Sequence, residues 1–263
     1  MEYRPCIDIH NGKVKQIIGA SLSDEGDRAD ENYVSERGAD FFAGFYRDEG
    51  LYGGHVIILN SKDSSYYEKT KEQALMALRT FPGGMQVGGG INPDNAMEFL
   101  DAGASHVIVT SYAFVEGQLS YDRIRNMANL VGPDRLVIDL SARKRLRHHY
   151  VVTDRWQTFT DERVTVELFE KLSPYCAEFL VHAVDMEGKS TGIDEEVLEI
   201  LASYSGKPIT YAGGISSYED IDRIRQMGEG RINVTIGSAM DLFGGELNYE
   251  TVISMCNHSL DTE

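Results

Sequence analysis

Ile7-Asp8-Ile9, Val87-Gly88-Gly89-Gly90-Ile91 and Val109-Thr110-Ser111 return later in the chain, in the same order, as Ile138-Asp139-Leu140, Ala212-Gly213-Gly214-Ile215 and Ile236-Gly237-Ser238. A single glycine pair recurs by chance. Three elements matched in order and spacing read as two copies of one unit. Outward from them, the apolar stretches 5–10, 55–60, 85–87 and 106–110, then 135–141, 178–185, 208–212 and 232–237, read as eight strands. They are near-continuous runs of Ile, Val and Leu, the pattern of strands covered on both faces. Stripes of helical period lie between them: Ala74, Leu75, Leu78 and Phe81; Ala96, Phe99, Leu100 and Gly103; Leu168 and Leu172; Tyr218, Ile221, Ile224 and Met227. Asn92-Pro93, with Pro at the first helical position, and Ser216-Ser217 ahead of Glu219 are the expected helix starts. Strict alternation of strand and helix makes a parallel sheet. A duplicated four-unit repeat in 263 residues makes it one α/β domain over 1–263, a (β/α)8 TIM barrel of two half-barrels rather than an open doubly wound sheet.

Composition narrows the chemistry. The net charge of -17 repels phosphate backbones and anionic membranes, so neither nucleic acid nor a membrane is an expected partner. No apolar run approaches the ~20 residues that span a bilayer. The three cysteines, Cys6, Cys176 and Cys256, share no CxxC spacing, which argues against a disulfide framework and a zinc cage. With no export pattern at the N-terminus, a monomer in a reducing cytoplasm is expected.

Barrel active sites form at the C-terminal ends of the strands. Asp8, at the end of the first strand, and Asp139, at the end of the fifth, are charged residues in apolar segments that a barrel aims at one cavity from opposite sides. A carboxylate so placed is costly without a task. Each alone could simply hold a loop's amides; a matched pair reads as catalytic. Gly88, Gly89 and Gly90, and Gly213 and Gly214, follow the third and seventh strands ahead of helices, where backbone amides cradle anions. Thr110 and Ser111, and Gly237 and Ser238, would complete the two cradles. Duplicated cradles suit a ligand with a phosphate at each end.

The stretch 142–161 carries Arg143, Lys144, Arg145, Arg147, His148, His149, Arg155 and the only tryptophan, Trp156. Trp156 could stack on a flat heterocycle while the cations steer phosphate, or the stretch could be a solvated ribbon that Trp156 anchors. The polar loop 19–32 suits a lid or an idle insertion. His10 and His182, at strand ends, are expected to bond within the site, whereas His55 and His106 begin strands and read as structural. No spacing suggests a metal, and neither metal nor cofactor is expected.

The run Arg4-Pro-Cys-Ile-Asp-Ile-His-Asn-Gly-Lys-Val-Lys-Gln16, with Gln86-Val-Gly-Gly-Gly-Ile91, Val137-Ile-Asp-Leu-Ser141, Trp156-Gln-Thr158 and Tyr211-Ala-Gly-Gly-Ile215, resembles the HisA isomerase family, in its fungal and plant branch. The resemblance covers 4–245. It implies an aldose–ketose isomerase of histidine biosynthesis that converts ProFAR, an aminoimidazole carboxamide bearing two ribose phosphates, into PRFAR by an Amadori rearrangement without a cofactor. It also implies that Asp8 is the general base and Asp139 the general acid. Where the bacterial pattern has a Thr-Asp start and an Asp-Gly-Thr, this chain reads His182-Ala-Val-Asp-Met-Glu-Gly-Lys189, which sets Glu187 beside Asp139 as a second candidate acid. The sister cyclase barrel, which uses ammonia from a partner, usually continues its first strand as Arg-Val-Val-Lys-Gly; here Lys13-Val-Lys-Gln16 runs into Ile17-Ile18-Gly19. A non-catalytic phosphosugar sensor would have no use for the aspartate pair.

Overall fold

A computed structural model describes residues 1–18, 21–23, 26–188 and 192–257. Residues 19, 20, 24 and 25 of the expected lid, and Lys189, lie outside the described residues. Eight parallel strands run β1 Cys6–His10, β2 Gly54–Ile58, β3 Met85–Gly88, β4 Val107–Val109, β5 Leu136–Asp139, β6 Glu178–His182, β7 Ile209–Ala212 and β8 Ile232–Thr235. They pair in consecutive order. The sheet closes where Tyr3 bridges Val234 and the Arg4 amide donates to the Val234 carbonyl at 2.8 Å, so the expected barrel forms.

Among the described residues eight α-helices alternate with the strands: α1 Ala39–Asp48, α2 Tyr67–Thr80, α3 Ala96–Asp101, α4 Tyr121–Val131, α5 Val166–Leu172, α6 Glu195–Ala202, α7 Tyr218–Met227 and α8 Tyr249–Asn257. No described helix is long and apolar enough to cross a membrane. The four stripes fall in α2, α3, α5 and α7, except that Phe81 and Gly103 lie just past their helices. Two helix starts differ from expectation. Pro93 sits in a turn in which Asn95 Oδ1 accepts the Asn92 amide, and α3 begins only at Ala96. At α7 the cap is Ser217, but the reciprocal carboxylate is Asp220, because only the third helical position reaches back to the cap amide.

Strand pleating separates two cores. On β1, Ile7 and Ile9 point outward into the layer between sheet and helices, while Cys6 and Asp8 line the lumen. Val107 and Val109 likewise face the helices, and Ile108 joins Val137 and Leu180 in an apolar layer inside the barrel. A runs-only reading misses this alternation because both faces are buried. Below that layer, Glu178 accepts from Arg4 at 2.7 Å and Gln86 at 3.0 Å, and from Thr210, forming a polar floor.

The expected strands 55–60, 106–110, 135–141, 178–185 and 232–237 are each too long at the C-terminal end. Asn60, Ser141, Ala183 and Ile236 continue the buried run past the last strand residue, half-buried Thr110 follows β4, and these overhangs make the rim of the site. Two additions sit on that rim. Lys13–Ile17 turns back antiparallel to β1 and pairs with Glu31–Val34, so the end of the expected lid is strand. After β5, Ala142–Arg145, His148–Thr153 and Thr158–Arg163 form a three-stranded antiparallel meander, the ribbon that was one of the two expectations for this stretch.

Candidate active site

The cleft at the C-terminal end of the barrel has two lobes that meet at His182. One lobe, about 400 Å³, is lined by Gly88, Gly89, Gly90, Thr110, Ser111, Asp139 and Trp156. The other, about 30 Å³, is lined by Asp8, Glu187, Gly213, Gly214, Gly237 and Ser238. Each half of the repeat thus supplies one carboxylate and one glycine-rich cradle, but the halves cross over. The cradle after β3 and β4 shares a lobe with Asp139 of β5, and the cradle after β7 and β8 shares one with Asp8 of β1.

The two cradles have the same backbone reason. Gly89 and Gly213 have φ of +99° and +109°, and a Cβ would lie 2.1 Å from the Ile58 carbonyl oxygen or 2.6 Å from that of Ala183. Only glycine fits both the angle and the approach. The expectation that both loops open directly into helices holds less well for the first, since the turn 92–95 intervenes and α3 has only six residues. Of the two hydroxyls expected in the first cradle, Thr110 donates to Asp139 at 3.0 Å, whereas Ser111 accepts the Asp154 amide at 2.9 Å and keeps its own proton to donate.

The carboxylates differ in their surroundings. Asp139 Oδ1 accepts the Ser141 amide at 2.7 Å and the Ser141 hydroxyl at 2.6 Å, and Oδ2 accepts Thr110. Among the described residues no donor reaches Asp8, which lies inside β1, two residues before its end. Burial pushes its carboxyl up to about 7. Glu187, on the loop after β6, faces the same lobe, and burial together with the charge of Asp8 pushes it up to about 8. Two carboxyls that repel across a small space share protons rather than both ionise.

Trp156 is brought into the cleft by strain. Asp154, Arg155 and Trp156 have φ of +52°, +53° and +67°, three consecutive left-handed residues at the second turn of the meander. Such residues each cost on the order of 1–2 kcal/mol, so the turn must be held from outside. Ser111 accepts the Asp154 amide, Arg143 donates to the Trp156 carbonyl at 3.3 Å, and the indole Nε1 donates to Ser141 at 3.1 Å. The indole packs beside the His182 ring at 5.5 Å between centroids.

The structure does not bring every expected residue together. Arg143 lines neither lobe; its guanidinium also pairs with Asp185 at 3.0 Å and so braces the meander against the loop after β6. Lys144 pairs with Glu196, Arg145 packs over Tyr150, and buried His149 bonds Asp194 at 2.9 Å, so only Arg155 of the cationic stretch lines the cleft. His10 ends β1 fully buried, its Nδ1 without a partner and burial holding the imidazole below its usual range, and it lines neither lobe. His182 does. Burial lowers its pKa as well, against the pull of Asp139. His55, expected as structural on the opposite rim, reaches the floor of the smaller lobe, 6.0 Å from His182 between ring centroids, and burial drives it down to about 3.

Two residues escaped the sequence reading. Gln16 arrives on the strand returning from β1 and packs its amide against Gly237, whose Cβ would sit 2.0 Å from Gln16 Oε1. Ser141 lies two residues past Asp139. Its position in the Asp-Leu-Ser run was the only available signal.

The comparisons with known proteins agree with this architecture. Residues 3–248 match the family described as histidine biosynthesis protein. The chain belongs to the histidine biosynthesis protein family. Within that family it is 47% identical over 261 residues to a chloroplastic isomerase of Medicago truncatula, covering 98% of this chain and 82% of the relative. It is 43% identical to the Neurospora crassa protein, with 93% of each covered, and 40% identical to that of Saccharomyces cerevisiae, with 92% of each covered. All three relatives bear the name 1-(5-phosphoribosyl)-5-((5-phosphoribosylamino)methylideneamino) imidazole-4-carboxamide isomerase. The histidine biosynthesis family is one of barrels, as the closed sheet here is.

Proposed function

We propose that the chain isomerises ProFAR to PRFAR, with Asp8 as general base and Asp139 as general acid. The observation that carries this reading is the two-lobed cleft, in which carboxylates from the equivalent strands β1 and β5 meet across His182, each lobe with its own glycine cradle. A ligand with a phosphate at either end fills such a cleft from lobe to lobe, and the names of the relatives fit that chemistry.

Asp139 would protonate the ribose ring oxygen, whose C1′–O bond breaks as the nitrogen lone pair forms a Schiff base. Asp8 would then take the C2′ proton, and the resulting enolamine becomes the ketose. A base near 7 is well matched to neutral pH, because it is ionised often enough to act and basic enough to accept the proton. Trp156, at the wider lobe, would stack on the heterocycle. The backbone amides of Gly89, Gly90, Gly213, Gly214 and Gly237, with Ser238, would hold the phosphates, aided by Ser111 on the first side, and an acidic protein needs no basic surface for that. Arg143 and His10 would act from behind the lining.

A second reading gives the acid's role to Glu187, favoured by its position facing Asp8 and by the carboxyl's being pushed up to about 8, which keeps it protonated at neutral pH. The chain would work as a monomer in a reducing compartment that keeps its three buried cysteines as thiols.

Incubation of the purified protein with ProFAR alone tests the proposal. Formation of PRFAR without ammonia is expected; a requirement for ammonia would sink it. If Asp139→Asn retains turnover while Glu187→Gln loses it, the second reading replaces the first.

A further inference from the structure

Ser141 is fully buried just beyond β5, and its hydroxyl has three partners: Asp139 Oδ1 at 2.6 Å, Trp156 Nε1 at 3.1 Å and His182 Nδ1 at 3.3 Å. A hydroxyl has one proton to give and two lone pairs to receive. An indole N–H can only donate, so Trp156 takes one lone pair. The hydroxyl proton goes to Asp139 Oδ1, a carboxylate oxygen at short range. The second lone pair faces His182, so Nδ1 carries the ring hydrogen and Nε2 is left as an acceptor. Burial keeps that imidazole neutral, consistent with a single N–H. Oδ1 of Asp139 already receives two donors, the Ser141 amide and hydroxyl, which leaves Oδ2, beside Thr110, as the seat for a proton.

We propose that Ser141 is a positioning residue, a hydroxyl hub that joins Asp139, Trp156 and His182 into one hydrogen-bonded unit and links the pose of Trp156 to the protonation of Asp139. The link has a direction. When the indole moves onto a ligand, its N–H leaves Ser141, and a hydroxyl that accepts fewer hydrogen bonds is a weaker donor. The carboxylate loses stabilisation, so seating a ligand favours the form of Asp139 that holds a proton on Oδ2. Other ionisable groups facing the same lobe are Lys62 after β2, Tyr67 at the start of α2, Tyr112 after β4 and Asp154 and Arg155 at the meander turn, with Cys6, Asp8, His55 and Glu187 in the adjoining lobe. The proposal rests on the isomerase reading only in giving Asp139 the role of acid.

Trp156 is the only tryptophan, so its indole N–H yields one cross-peak in a 15N–1H spectrum of the full-length protein. In the unliganded wild type that peak is expected downfield and titrating with pH, and in Asp139→Asn the titration disappears. Ser141→Ala moves the peak upfield and ends its titration, whereas Ser141→Thr, which keeps the hydroxyl, restores both. In turnover of ProFAR, Ser141→Ala lowers kcat about tenfold with little change in KM. The limb of the pH–rate profile that Asp139 controls moves about one pH unit upward, since a carboxylate that loses an O–H donor holds its proton more readily. An indole peak unchanged in Ser141→Ala, or one that titrates alike in wild type and Asp139→Asn, overturns the hub. If Ser141→Ala does not fold, Ser141→Cys, with a weaker donor, is read on the same peak, and an unshifted peak again refutes it. The indole measurement needs no substrate. A hub that passes it in a protein that does not turn over ProFAR leaves the hub standing and removes the isomerase reading.

Discussion

The two lobes of the cleft arise from one repeated unit, yet they treat their carboxylates in opposite ways. Around Asp139 the lobe is wide, and three donors from Ser141 and Thr110 hold the group in place. Around Asp8 the lobe is small, donors are lacking among the described residues, and Glu187 adds a second carboxyl that competes for charge. Duplication preserved the backbone, as the matched angles of Gly89 and Gly213 show. Divergence lies in the first residues past each strand, where one half acquired a meander with a hydrogen-bonding indole and the other a returning strand with Gln16. A symmetric scaffold can thus present an asymmetric pair of groups, which a proton-in, proton-out reaction requires.

The largest effect should come from deleting the chemistry itself. Asp8→Asn and Asp139→Asn are each expected to lower kcat for ProFAR about a thousandfold, as loss of general acid or base does, with KM changed little. If one of the two lost only a few-fold, the pairing of lobes would be broken as a description of catalysis.

The symmetry of the cradles is next. Gly89→Ala and Gly213→Ala force a Cβ against a carbonyl oxygen at a positive φ, so each should destabilise the fold by roughly 2–3 kcal/mol in urea titration. Equal losses would sharpen the equivalence of the halves, and a neutral result at either position would end it.

Trp156→Ala tests the asymmetry of the wide lobe. It should raise KM about tenfold, through lost stacking area and a loosened turn, while leaving the Asp8-controlled limb of the pH–rate profile in place. A change in kcat alone would contradict stacking.

The smallest effect concerns stability. Asp8 titrates near 7 and Glu187 near 8 in the folded chain, against 3.8 and 4.5 for ordinary carboxyls. The folded state therefore binds more protons than the unfolded chain between about pH 4 and 8. Stability falls as pH rises through that window and levels off above it. At pH 8, Glu187→Gln should be more stable than wild type by about 1 kcal/mol, less than the full shift implies because solvent reaches the carboxyl. A melting temperature unaltered by the substitution would show that Glu187 is not forced into charge beside Asp8.

The barrel was legible because duplication is written in residue identity. Ile7-Asp8-Ile9 and Ile138-Asp139-Leu140, and the glycine loops, mark corresponding strands in both halves, although Asp8 lies within its strand and Asp139 at the end of its own, and strands covered on two faces leave continuous apolar runs. Strand ends were harder to read, since Asn60, Ser141 and Ile236 are as buried as the strands they follow, and burial rather than pairing is what composition records. Four of the eight helices had no stripe singled out, and a meander of basic residues reads as a loop when its ion-pair partners, Asp185, Asp194 and Glu196, lie more than 40 residues on. By itself, the sequence determined the fold, the family, and which aspartates and glycine loops line the cleft, all properties of local pattern and repetition. Tertiary structure alone decided which glycine loops share a lobe with which carboxylate, that Arg143 braces rather than lines, that His55 reaches the cleft floor, and that Ser141 joins three side chains that line the cleft. Those facts depend on distances between residues remote in sequence, and a hydrogen bond, unlike a strand, leaves no periodic trace along the chain.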